Sequence, residues 1–573
     1  MFKPRRIKLG LLLGMSLGMS ALIACGPAQT TEPPSGGVSP QELKSQLTPS
    51  TKLEVAKERG GKFVFVDNTA FGNPNDPHLV VTATGRTYSV PVTNWLLKRD
   101  VFDPKFPIVG DVAKSWEVSK DGLTYTFKLH EGVKFQNVAP VNGREMTSED
   151  VRYSIRRITA DPELIVEKWK PRFQRRLDFG DIKSIDTPDK YTVVVNLKEP
   201  FSPFLDAIAH AGTQLIPREF VEKFPEKIIT EGAIGTGPFM PADYKNQQVA
   251  TYKKNPDYWK KDSAGGALPY VDELQILYFA DPQTRMAAFR AKNLDFTAAQ
   301  DKSQADSVKK EMPGIHTLTS TSLSLSNFRF NMKYKPFQDV KVRRAIHLTL
   351  NRQQFLEIIE QGEGAVAGPV TPKYADLANT MDWLLSQPGY RQPKDQDIAE
   401  AKRLMQEAGY GDGFTMSVMI SSGSTAGDWA SLLSDQLKAL NITVKPQIVD
   451  YAGEWVPRAT NGEFELAWMS HKVASDADSV LGAHLLGGAP RNYGKFDDAE
   501  LNDLIKKQRA AVTMEERKKW AQEAEKRAFE VVPMVFMFDP YSITVAQPWV
   551  HNTGNLMGEG PPQFVDVVWV EKH

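Results

Sequence analysis

The chain has 573 residues, 41% hydrophobic and 24% charged, an ordinary globular composition with length for more than one core. Its 70 basic and 70 acidic side chains balance. Residues 1–24 hold Lys3, Arg5, Arg6 and Lys8 and no acid, so without them 66 basic face 70 acidic groups, a net charge of −4. No basic excess points to nucleic acid, and the acidity is too mild to name a partner.

In chain order, the first element is an address. Four basic side chains precede an apolar, small-residue run over residues 9–23, as in a secretory signal. The run is short for a spanning helix, which needs about 20 residues. It ends in Leu22-Ile23-Ala24-Cys25-Gly26, the pattern of a bacterial lipobox, and Cys25 is the only cysteine of the chain. The expectation is a signal peptide over 1–24 and lipid on Cys25, whose acyl chains would each contribute about 0.8 kcal/mol per buried CH₂. Residues 25–59 read as a tether rich in Pro, Gly, Ser and Thr. Some 30 flexible residues reach roughly 30 Å.

From Gly60 onward strand and helix signals alternate. Lys62–Val66, Leu123–Leu129, Tyr191–Leu197, Leu274–Phe279 and Thr415–Ile420 read as strands. Thr147-Ser-Glu-Asp150 is a capping box opening a helix over Val151–Ile158. Asp281-Pro282 opens another through Lys292. Asp339 caps a predicted helix over Val340–Ile359, and Ile398–Ala408 shows one apolar face stopped by Gly409. The mixture predicts an α/β chain of two or more lobes.

Enzyme signatures fail on position. Gly14-Met-Ser-Leu-Gly18 has the nucleophile-elbow spacing but lies in the signal segment. Gly362-Glu-Gly-Ala-Val-Ala367 loosely fits a dinucleotide fingerprint, yet it follows a helix and not a strand. The nine histidines show no metal-site spacing, and no P-loop occurs. The reading is therefore no enzyme, no cofactor and no metal.

An ordered series of segments carries a positive signal. It runs Asp76-Pro-His78, then Val112-Ala-Lys-Ser-Trp-Glu-Val-Ser-Lys-Asp-Gly122 through Phe135, then Met146–Val151. Gly235-Thr-Gly-Pro-Phe239, Asn255-Pro-Asp-Tyr-Trp259, Tyr270–Leu274 and Pro336–Ile346 with Asn351-Arg352 follow. This series resembles the large solute-binding proteins of peptide, dipeptide and nickel ABC importers, from about residue 60 to about 550. Physically these residues read as scaffold: Gly235 and Gly237 as backbone freedom before Pro238, and Arg343 and Arg344 as helix-face ion-pair residues.

The resemblance implies two lobes closing by a hinge on a ligand between them. Lobe I would be 60–323 plus 530–573, with an inserted subdomain at about 90–178, and lobe II 324–529. It also implies two permease subunits and an ATPase as partners, a monomer, and a lipid-anchored place in the periplasm or on the outer face of the cytoplasmic membrane. Three loops are candidate cleft liners: Thr84–Tyr88 with Arg86 and Tyr88; Ser421–Thr425 with Trp429; and Trp468–Asp478 with His471, Asp476 and Asp478. Trp429, Trp455 and Trp468 could stack on a cation or a sugar face. Peptide-binding relatives place an acid a few positions after such a tryptophan to pair with the peptide amino terminus. Here that register is displaced, Asp476 and Asp478 coming later than the pattern asks. Oligopeptide or dipeptide leads as ligand, with oligosaccharide, opine-like or cationic metabolites and chelated metal as alternatives. An envelope hydrolase and a sensory or adhesive use of the fold are the rival functions.

Overall fold

The computed structural model describes residues 53–67, 76–79, 87–103, 106–165, 173–230, 232–245, 248–279, 281–322, 324–371, 377–423, 425–472, 476–554 and 563–572. The signal segment, Cys25 and most of the tether lie outside them.

Two large sheets organise the chain. The first runs, in order, through His316–Thr321, Phe538–Ala546, Phe296–Ala298, Lys62–Asp67, Glu273–Tyr278, Val249–Lys254 and Phe239–Lys245, with Gly364–Val366 pairing onto Phe538–Ala546. The second runs Thr443–Val449, Thr415–Ser421, Leu466–Lys472, Ser324–Phe330 and Met534–Phe536. Each has its own core. Phe63, Phe65, Phe239, Leu274 and Ile276 pack under the first; Phe328, Phe355, Val418, Trp429 and Leu466 pack under the second. The strand segments read from sequence all form, because each is a β-branched or aromatic run whose alternate residues reach a core.

The chain passes between the sheets twice. The first passage joins His316–Thr321 to Ser324–Phe330, and the second joins Met534–Phe536 to Phe538–Ala546 at Met537. The return passage thus follows the strand Met534–Phe536, which is still paired in the second sheet. Buried Asp539 ties the passages together: Thr321 Oγ1 donates to it at 2.8 Å and the Ser324 N–H at 3.3 Å.

A third sheet, Ala113–Val118, Thr124–Leu129, Thr192–Leu197 and Ile182–Asp189 in that order, packs with the helix Ser148–Ile158 in the region expected to be the inserted subdomain. The sheet itself runs past residue 178, since the β-branched run Thr192–Leu197 supplies an inner strand whose Val193 and Val195 share one core with Phe127. The capping box forms, the Thr147 N–H donating to Asp150 at 2.9 Å. The subdomain is pinned by Asp76, which accepts from both terminal nitrogens of Arg157 at 3.0 and 2.5 Å. Burial, with Arg157 close by, pushes neighbouring His78 down to about 3. The Asp76-Pro-His78 segment is therefore a structural anchor holding a neutral histidine.

Three local expectations change. The helix expected over 340–359 is two helices, Val340–Thr349 and Arg352–Glu360, because Asn351 caps the second by accepting from the Gln354 N–H. Gly235 and Gly237 serve close approach, not backbone freedom. Cβ atoms there would meet the Val92 backbone at 2.7 and 2.4 Å, and neither residue has positive φ. Arg343 makes no surface ion pair. It is buried and donates to the carbonyls of Val531, Val532 and Phe337, two of which close the helix Met514–Val531.

Candidate functional site

In the second sheet the parallel strands Thr415–Ser421, Thr443–Val449 and Leu466–Lys472 all end at one edge. The register places Ser324 opposite Lys472 and Asn327 opposite Phe536, so both passages toward the first sheet leave from that same edge. Carboxyl ends of parallel strands are where open α/β sheets receive ligands, since the following loops turn their backbone amides outward there.

A pocket of about 110 Å³ sits at this edge, lined by Ser421, Ser422, Thr425, Tyr451, Trp468 and Ser470 among others. At about 30 Å³ per water in the liquid, it holds a few waters or one functional group of a larger ligand. The helix Ala426–Leu437 begins beside it, and its N-terminal Thr425 side chain caps none of the first-turn N–H groups. The donors at this edge are thus hydroxyls, helix-end amides and the Trp468 indole N–H, which is buried without a hydrogen-bond partner among the described residues. None of the described lining residues is acidic.

Trp468 is held from behind. Its ring lies 4.7 Å from Trp429, and its carbonyl accepts from the Trp455 indole N–H at 3.1 Å. Trp429 is 1% exposed, wedged against Phe328, Phe355 and Phe538. Trp455 is likewise buried, against Tyr451 and Tyr493. Of the three tryptophans only Trp468 lines the pocket; the other two set its position. Ser421 lines it as well. Tyr88 is buried in the core of the first sheet, its carbonyl accepting from the Tyr252 hydroxyl at 3.1 Å. Arg86 lies outside the described residues. His471 pairs with Leu325 through its backbone, and its side chain is likewise outside the description. Tyr451 is a liner the sequence reading did not name. The signal for it was an aromatic directly after the strand Thr443–Val449 and Asp450, whose side chain accepts from the Gly453 N–H.

The two acids go elsewhere. Asp478 accepts from Gln508 Nε2 at 2.6 Å and from Arg509 Nε and Nη2 at 2.7 and 2.8 Å. Asp476 accepts from Arg517 Nη2 at 2.7 Å and from the Asp478 N–H at 2.8 Å. Both are buried, and both charges are met by arginines of the helices Ala499–Ala510 and Met514–Val531. A buried carboxylate already paired in this way has no call for a ligand ammonium. The late register of these acids therefore has a physical meaning: they fasten the segment Asp476–Asp478 to the helices Ala499–Ala510 and Met514–Val531.

This arrangement makes a stability prediction. Asp478→Ala leaves Arg509 largely buried and unpaired, and should destabilise the ligand-free protein by about 3 kcal/mol in chemical unfolding. A carboxylate reserved for a ligand would leave ligand-free stability unchanged on removal.

Residues 107–490 match the family model described as bacterial extracellular solute-binding proteins, family 5 Middle. The di/tripeptide-binding protein 2 of Pseudomonas aeruginosa is 28% identical over 456 residues, covering 76% of this chain and 81% of that protein. The heme-binding protein A of Haemophilus influenzae is 27% identical over 435 residues, covering 72% and 76%. In three dimensions the chain is similar to the ABC transporter-associated periplasmic binding protein DppA of Helicobacter pylori, solved with the peptide STSA. The TM-score is 0.73 at 23% identity, covering 90% of this chain and 99% of that one. The family is one of binding proteins and not of enzymes, and a two-lobed scaffold with a pocket at the strand ends is what such a protein requires. The chain belongs to the bacterial extracellular solute-binding proteins, family 5.

Proposed function

We propose that the chain is the capture subunit of an ABC importer, tethered outside the cytoplasmic membrane by lipid on Cys25 and handing its solute to a permease driven by an ATPase. The observation that carries this reading is the edge of the second sheet. Two separately cored lobes are joined by two chain passages, and a polar pocket opens beside those passages. Hinge closure needs that layout, because a ligand shifts the open–closed equilibrium only by contacts it makes in the closed form. Short peptides are the leading ligand class, supported by the di/tripeptide-binding relative.

A second reading concerns the solute alone. With Asp476 and Asp478 engaged by Arg517 and Arg509, the described part of the site presents hydroxyls, helix-end amides and the Trp468 ring. That set suits a hydroxyl-rich or carboxylate-bearing solute at least as well as a peptide amino terminus. The haem-binding relative shows that family members of similar identity carry names from different ligand classes.

A thermal-shift panel of di- and tripeptides, oligosaccharides, opine-like acids and metal chelates separates the readings. A ligand at 100 times its Kd stabilises the native state by about 2.7 kcal/mol if it binds that state alone. An upward shift with peptides supports the first reading, and a shift confined to sugars or acids supports the second. Consumption of the compound, followed by mass spectrometry, would overturn the transport reading. The anchor is tested separately: cells fed labelled palmitate should label the wild-type chain and not Cys25→Ser, and equal labelling would exclude Cys25 as the lipid site.

A further inference from the structure

The two lobes touch at a second place besides the passages at Thr321–Ser324 and Met537, through residues that belong to neither passage. On one side is the inserted subdomain, whose segment Phe201–Ile208 packs into the core formed by Tyr125, Phe127 and Val193. On the other is the end of the helix Ala499–Ala510 and the start of Met514–Val531, whose core contains Leu325 and Phe536 of the second sheet. The Ser202 N–H donates to the Arg509 carbonyl at 2.7 Å, and Ser202 Oγ donates to the Gln508 carbonyl at 2.9 Å. The Arg509 guanidinium lies 5.5 Å from the centre of the Phe201 ring. Arg517 Nη1 stands 3.9 Å from the Asp206 carboxylate. At the hairpin tip, a Cβ on Gly122 would fall 3.8 Å from the Cβ of Val512.

We propose that this contact is a closure latch, made when the lobes are together and broken when they part. Three features fit a contact built to separate. Each ion keeps a partner on its own side: Asp206 pairs with Arg99, and Arg517 with Asp476. Opening therefore strands no buried charge, which is what ordinarily makes breaking such a pair costly. The accepting carbonyls belong to the last turn of a helix, where no intrahelical donor exists, so water can replace Ser202 on opening. The apolar side of the contact is unsealed: Val512 is 50% exposed and Met514 57%, and the cores on the two sides remain separate. Asp476 and Asp478 then gain a role beyond fastening a loop. They orient Arg517 and Arg509, the two arginines that meet the inserted subdomain. The proposal rests on the two-lobe reading but on no particular solute.

The test uses the full chain carrying Cys25→Ser, so that an engineered pair Gly122→Cys and Val512→Cys are its only thiols. The Cβ separation matches that of a disulfide, about 3.8 Å. Small-angle X-ray scattering of the ligand-free protein compares the oxidised with the reduced form. The latch predicts ready oxidation and a smaller radius of gyration for the oxidised form, since the reduced lobes spend time apart. Failure to oxidise, or identical scattering in both forms, overturns it. Should the cysteine pair disturb folding, Asp206→Ala in the wild-type background decides. Scattering shifted toward a more extended particle supports the latch, and unchanged scattering contradicts it. An unmoved radius together with a ligand-induced thermal shift would sink the latch and leave the binding reading standing.

Discussion

The architecture depends on how the chain crosses between its two sheets, and Asp539 is the residue that makes two crossings behave as one. It lies just past the return passage, accepts from Thr321 before the outgoing passage, and accepts from the Ser324 N–H after it. Strands on either side are committed to ladders in different sheets, so the freedom left to the chain is concentrated at these few residues. A joint of this kind lets two stiff bodies move without loosening either core. Hinges in domain closure are typically a few residues at the ends of elements that absorb the backbone change.

The proposed site on the second lobe follows from the edge where those passages leave. Parallel strands bring Ser421 and Ser470 to that edge, and the helix Ala426–Leu437 begins beside it without a side-chain cap from Thr425. Trp429 backs the Trp468 ring on one side, and Trp455 fixes the Trp468 main chain by donating to its carbonyl. Pre-organisation of this kind lowers the entropy lost on binding, since the aromatic surface is already in place. The acids beyond the strand work differently. Suggested by sequence pattern as ligand contacts, they are paired instead to arginines on two helices and fasten their own segment to them.

Much of this was legible in the amino-acid sequence, and what was not has identifiable causes. Strands such as Lys62–Asp67 and Thr415–Ser421 declared themselves because β-branched and aromatic residues recur where a sheet must meet a core. The capping box at Thr147 was legible because it is a local device. The break at Leu350–Asn351 was passed over because the apolar pattern continues through it, while the Asn351 cap acts on a single N–H. Gly235 and Gly237 read in sequence as backbone freedom before Pro238, but their reason is the Val92 backbone, which lies over 140 residues away along the chain. The partners of Asp476 and Asp478 were hidden for the same reason. An acid beside a tryptophan looks identical in sequence whether its counter-ion is a ligand or an arginine two helices away, and only the fold brings Arg509 and Arg517 to it.

The central claim is that a solute is captured at the strand-end edge of the second lobe and enclosed from the first. Hydrogen exchange read by mass spectrometry, with and without the stabilising compound, tests it most directly. The account predicts slowed exchange over Ser421–Ala426 and Trp468–Ser470, together with slowed exchange in the first lobe, while the outer helix Asp395–Glu407 stays as it was. Slowing confined to another surface, such as the groove between Gly60 and Lys572, with the strand ends unchanged, would contradict it.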